Sequence, residues 1–409
     1  MAVDKTMWTE RARTLAFFVL ALLVAVSIAL VLPAKPAHAD TTFTVDRSDD
    51  PDLTTTLTAD DCTVAANDCS LREAINAANA LSGPDTINFA IPDDPNTTAD
   101  DVKTILVDGV DGPSAIDLPI ITEAVTINGY TQRPCFTDTG QVANPPPCSK
   151  SNTNTILAQG TNANLLIVLN GAFVGLSSNG LIRISASDVV VKGLVLKCYN
   201  TGIFIQPGGS HAVIEGNFIG TDPSGTTVSC SANNGVNVFG GGANIIGGEV
   251  PAARNLISGN LSTGLSIADN GGNTIQGNLI GTKAKGTDAN EPEPLGNGRE
   301  GVEIASPNNT VGNSTGNDEA GANLIAFNGD NGVLVFGVSG FSAGNRILSN
   351  SIHSNGQLGI DLTKTNVFSP DGVTKNDGRT KDRDTGGNNL QNYPVLSSAR
   401  TEGTTTTIK

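Results

Sequence analysis

An Asn, an aliphatic residue two positions on and a second Asn five positions from the first recur through the second half of this chain. The runs are Asn255-Leu-Ile-Ser-Gly-Asn260, Asn273-Thr-Ile-Gln-Gly-Asn278, Asn323-Leu-Ile-Ala-Phe-Asn328, Asn345-Arg-Ile-Leu-Ser-Asn350 and Asn350-Ser-Ile-His-Ser-Asn355. A unit this short can continue neither a helix face, which needs apolar residues three and four apart, nor a long strand, which needs them at every second position. It reads as a very short strand closed by a corner. Corners that prefer Asn or Gly call for positive φ or for an amide that bonds its own backbone. Stacked corners of this kind make an Asn ladder.

A second element sets the length of one turn. Gly, aliphatic, any, aliphatic appears at Gly202-Ile-Phe-Ile205, Gly235-Val-Asn-Val238, Gly264-Leu-Ser-Ile267, Gly301-Val-Glu-Ile304, Gly332-Val-Leu-Val335 and Gly359-Ile-Asp-Leu362, with an earlier variant at Gly180-Leu-Ile-Arg-Ile184. Successive starts lie 22 to 37 residues apart. Each later interval also holds two short Asn-type strands, so one period is one coil of three strands. Variable excess over a minimum is what a solenoid produces when insertions are confined to corners. The pattern predicts an all-β chain, a right-handed parallel β-helix over residues 86–362, with Ile203, Val236, Leu265, Val302, Val333 and Ile360 stacked inside. The insertions alternate: Asn217-Phe-Ile-Gly-Thr221 and Asn278-Leu-Ile-Gly-Thr282 lead into polar loops, whereas Gly247 to Arg254 and Gly312 to Ala322 precede an Asn-Leu-Ile. The full repeat is therefore two coils, and the loops are expected to project in two rows.

Composition agrees: 47 Gly, 20 Pro and 16% charged residues mark a turn-rich β protein. Lys5, Arg11 and Arg13, an apolar run from Leu15 to Leu32 and Ala37-His38-Ala39 read as a secretory signal peptide over residues 1–39, with an uncleaved anchor as the alternative. Its removal takes four basic and two acidic residues and shifts the net charge from −16 to −18. Such a surface does not seek nucleic acid or anionic lipid, and the mature form is not expected to insert into a membrane. The six cysteines all follow the leader, and their spacing suggests three sequential disulfides, Cys62 with Cys69, Cys135 with Cys148 and Cys198 with Cys230. Cys-x2-Cys zinc pairs are absent from the sequence.

Residues 69–80 form the one convincing helix after the leader. Ser70 with Glu73 makes a capping box, and Leu71, Ile75 and Ala78 an apolar stripe, which suits a lid over the open first coil. Cys69-Ser-Leu-Arg-Glu-Ala74, preceded by a strand at Phe43 to Val45 and by Cys62, resembles the signature of the CSLREA domain, placed here at residues 40–85. The Gly-Asn-[Phe/Leu]-Ile-Gly-Thr and Asn-Leu-Ile-Ser-Gly-Asn units are similar to the parallel β-helix repeats of the pectin-lyase-like superfamily. The resemblance implies an exported or surface bacterial protein, and it carries over no catalytic residue.

Residues 363–409 read as a C-terminal cap or linker, with Thr404-Thr-Thr-Thr-Ile-Lys409 as the start of a further β domain. Asp382 and Asp384, with Gly386 and Asn388 following, have the spacing of a calcium turn but lack the distant Glu of a full loop. The alternative is a solvated turn over the last coil. On the outside of the Gly-led strands the row reads Arg183, Phe204, Asn237, Ser266, Glu303, Leu334 and Asp361. Glu303 and Asp361 are two coils apart, about 10 Å, at the upper end of the range used by inverting glycosidases. Leu334 between them argues for ordinary strand positions. The other outward rows, Glu215, Gly247, Gln276, Gly312, Leu348 and Gly220, Ser258, Gly281, Ala326, His353, are poorer in acids. Gly-x-Ser-x-Gly, His-Glu-x-x-His and phosphate-cradling motifs are absent, and Trp8 is the single Trp. Two readings follow: a non-catalytic exported scaffold that binds a polysaccharide or cell-surface ligand, and, alternatively, a polysaccharide lyase, hydrolase or epimerase.

Overall fold

The computed structural model describes residues 40–408 apart from 52–61, 63–67, 94–101, 108–116, 134–147, 173–178, 231–232, 286–292, 314–320, 338–341, 368, 377–383, 396 and 403–404. The leader 1–39 and Asp382 lie outside the described residues. The chain winds into a right-handed parallel β-helix whose strands form three long parallel sheets of nine, eight and seven strands. Each coil visits the seven-stranded, nine-stranded and eight-stranded sheets in turn, as with Thr201–Ile205, Val213–Glu215 and Phe218–Ile219.

Inside, one residue type repeats per sheet. Ile203, Val236, Leu265, Val302 and Val333 are in register and fully buried, as are Ile219, Ile257, Ile280 and Ile325. Ile360 continues the first row but is 43% exposed, because it sits on the terminal rung with no coil above it. The stack also begins earlier than residue 86. Thr42–Val45 pairs in parallel with Asp85–Phe89 and is the first rung of the nine-stranded sheet. At the other end Ile360–Thr365 extends the last rung, and Ala399–Glu402 pairs with Thr405–Ile408 as an antiparallel hairpin.

Helix α1 (Leu71–Ala80) carries the capping box: Glu73 N donates to Ser70 Oγ at 3.3 Å and Ser70 N to the Glu73 carboxylate at 2.6 Å. Leu71, Ala74, Ile75 and Ala78 join the same core as Phe43 and Ile87. Arg72 makes a bidentate pair with Asp50, 2.7 Å for each bond, and its third nitrogen donates to the Asp117 carbonyl. Both charged groups are buried, so removing either would strand the other. Disulfides join Cys62 to Cys69 and Cys198 to Cys230. Cys148 is also disulfide-bonded, and its expected partner, Cys135, lies outside the described residues.

The asparagines form three ladders, one at each corner. Asn244, Asn273, Asn309 and Asn345 run up the first; Asn217, Asn255, Asn278, Asn323 and Asn350 the second; Asn260, Asn297, Asn328 and Asn355 the third. Each side-chain oxygen accepts from the amide of the preceding coil's Asn, so the bonds run between coils and not to the residue's own backbone. Positive φ belongs to the preceding residue, as at Gly216, Ala243, Gly259, Gly277, Phe327 and Ser349, and not to the ladder Asn. The five-residue grammar therefore covers two different sides: Asn273 to Asn278 brackets the nine-stranded sheet, and Asn255 to Asn260 the eight-stranded one.

Candidate functional site

The three outer faces differ in what covers them. On the eight-stranded sheet the residue after each corner Asn points outward: Val168, Val195, Phe218, Leu256, Leu279 and Leu324 lie in register and are buried. They form a second core with Leu157, Ala284 and Ala322, contributed by loops. The loops expected to project are laid flat here and bonded to one another. Ala284 N donates to the Gly225 carbonyl and Thr161 N to the Ala284 carbonyl. Arg254, 5% exposed, pins the layer through Gly160 O at 2.6 Å, Asn154 O at 3.1 Å and Gly277 O at 3.2 Å. Burial lowers its pKa to about 10.

The outer face of the seven-stranded sheet holds the predicted row. Arg183, Phe204, Asn237, Ser266, Glu303, Leu334 and Asp361 are in register, as read from the sequence. Glu303 and Asp361 share a row but not an environment. Ser266 Oγ donates to Glu303 Oε1 at 3.1 Å, and Glu300, fully buried on the same coil, receives a bond from Thr263. Burial, then the charge of Glu300, raises the Glu303 pKa. Asp361 is 1% exposed; Gly372 N donates to its Oδ2 at 3.4 Å, and burial, followed by Asp371 among the charges, raises its pKa despite that bond. Leu334, fully buried, stands between the two carboxyls.

These two shifts give a testable sign. A carboxyl with a higher pKa folded than unfolded holds its proton more tightly in the fold, so stability is greatest in acid and falls as pH rises from the ordinary carboxylate range through the raised values. Glu303→Gln with Asp361→Asn should flatten that decline in chemical-denaturation curves measured from acid to neutral pH. An unchanged slope would refute the assignment.

Of the calcium candidates, Asp384 lies just before the Gly387–Leu390 turn, and Asn388 has a structural role. Its Oδ1 accepts from Asn345 N at 2.9 Å and its Nδ2 donates to Asn345 O at 2.7 Å, which extends the first ladder past the final rung. No group of three or more potential metal-ligating side chains is found among the described residues.

The nine-stranded sheet carries the row that sequence inspection passed over. Thr42, Thr86, Thr126, Val190, Val213, Ile245, Thr274, Thr310 and Arg346 are paired strand to strand without a break. None of the nine is buried, and Thr42, Ile245 and Arg346 are exposed. At ~4.8 Å per strand the row runs about 38 Å. Eight of nine members are β-branched, so their side chains have few rotamers and present a stiff, flat surface of methyls and hydroxyls. The cue lay in the residue after the Asn: Leu or Phe on the covered sheet, Thr at Asn273-Thr274 and Asn309-Thr310 on the open one.

Among the described residues no helix is long and apolar enough to cross a membrane. No protein-family model matches this chain, and no curated protein shows a significant match to it.

Proposed function

We propose that the chain is an exported β-helix scaffold that binds a polysaccharide or other cell-surface polymer along the open face of its nine-stranded sheet. The carrying observation is the unbroken row from Thr42 to Arg346, none of it buried. A repeating polymer matches a repeating surface, and rigid side chains lose little entropy when they are covered. Export is supported by the leader at residues 1–39, by the disulfides and by the resemblance of residues 69–74 to the CSLREA signature. The alternative, a polysaccharide-acting enzyme, draws on the raised pKa of Glu303 and Asp361. Leu334 between them weighs against a shared substrate.

A screen of insoluble and immobilised polysaccharides that reads both retention and depolymerisation separates the two. Retention without chain shortening is the expected result. Thr126→Lys, Val213→Lys and Thr274→Lys together should reduce retention at least tenfold, a change of about 1.4 kcal/mol. Retention that survives these changes would move the site elsewhere. Depolymerisation lost in Glu303→Gln would establish the enzyme instead.

A further inference from the structure

The last coil ends in a cavity of about 680 Å³. Its floor is the open interior of the stack, where Ile347, Leu358, Ile360 and Leu362 have no rung above them, and the segments around Val373 and Tyr393 form its sides. This volume is within the range of sites that take small organic molecules. Two polar atoms break the apolar lining. Asp361 Oδ1 and Thr374 Oγ1 are both buried without a hydrogen-bond partner, and both residues line the cavity. Asp361 is 1% exposed and its other oxygen is engaged by Gly372 N.

A buried acceptor left unpaired is costly, and two such atoms in one apolar chamber need a common explanation. Thr374 lies only two residues beyond the Gly372 that covers Asp361. A ligand with an apolar body and one N–H or O–H accounts for both. The body covers the side chains that an additional rung would cover, and the donor meets the carboxylate oxygen. Thr374 can then accept from or donate to the same polar head, since a hydroxyl does both.

We propose that the C-terminal end of the stack is a binding site for a small apolar molecule carrying a single hydrogen-bond donor head, which is held by Asp361 and Thr374. This site is distinct from the open sheet face and does not depend on what that face binds. It also gives Asp361 a role other than as the partner of Glu303.

The test uses the full chain and two fluorescent probes, N-phenyl-1-naphthylamine and its N-methyl derivative, which lacks the N–H. Titration should show saturable one-to-one binding of the first, about tenfold tighter than the second, as one hydrogen bond of ordinary strength predicts. Asp361→Ala should abolish the preference between the probes while leaving the weaker affinity in place. Ile360→Trp, on the terminal rung where added bulk enters the cavity and not the stacked core, should abolish binding of both. Absence of saturable binding would overturn the proposal, and equal affinity of the two probes for the wild-type chain would exclude the polar head without relying on any variant. Undiminished binding to Ile360→Trp, with an unchanged circular dichroism spectrum, would place the probe elsewhere and also overturn it.

Discussion

Replacing Asn278 by alanine should destabilise the shaft by about 2–4 kcal/mol, the largest effect expected of any single side-chain truncation along the ladders. Asn278 is fully buried in the middle of the second ladder. Its Oδ1 accepts from Asn255 Nδ2 at 2.9 Å, and its own Nδ2 donates to Asn323 Oδ1 at 2.9 Å and to the Ile246 carbonyl at 2.8 Å. Truncation leaves the Ile246 carbonyl and one Asn255 N–H in a space closed to water, and each orphan costs about 1–3 kcal/mol. Asn278→Asp should be no better, since a carboxylate oxygen would face acceptors where the amide now donates. Asn355→Ala, at the end of the third ladder and only partly buried, should cost less than half as much. Denaturant unfolding of the three variants checks the order. Equal losses at Asn278 and Asn355 would mean that the ladders contribute through corner conformation and not through buried amide bonds.

A methyl group at Gly264 should cost about 2–3 kcal/mol, the effect of overpacking a site that cannot relax. A Cβ there would lie 2.7 Å from the Gly301 carbonyl oxygen, 2.8 Å from Asn297 Nδ2 and 3.2 Å from Ile280 Cγ2. The carbonyl belongs to the next rung and is fixed by the sheet, so it cannot yield. Gly235, Gly301 and Gly332 face the same three kinds of neighbour: a carbonyl of the next coil, a ladder Asn and a core Ile. The glycine of the Gly-led strand thus recurs from coil to coil in this chain for room, not for a left-handed φ. Thr274→Ala on the open face of the adjoining strand should change stability by no more than about 0.5 kcal/mol. Thermal melting of the two variants decides it, and a similar small loss at both would show that the corner has slack.

Two registers were legible from residues alone. The outward row from Arg183 to Asp361 and the inward row from Ile203 to Val333 follow from alternation within each Gly-led strand, and the pairing bears out both. The capping box at Ser70 and Glu73 was legible for the same local reason. The two-coil repeat also has a structural counterpart. Gly247 and Gly312, which open the corner insertions of alternate coils, have φ of 90° and 98°, and each abuts the next coil's backbone and ladder Asn.

What depends on distant chain was not legible. The residues around a corner do not distinguish Leu256 from Thr274 in coverage: both follow a corner Asn and both point outward, yet one is sealed and the other open. The difference comes from loops that return to the eight-stranded sheet, tied by contacts such as that between Arg254 and Gly160, 94 residues apart. The same limit applies at the ends. Ile360 fits the inward pattern, but burial on that row requires a rung on both sides, and the terminal rung has one. By itself, then, the sequence determined the coil, its three short strands and the alternation of faces, because these are set by steric and hydrogen-bonding preferences within a few residues. Only the tertiary structure decided which outer face stays open and how the stack ends, because coverage is settled by where separate coils place their loops.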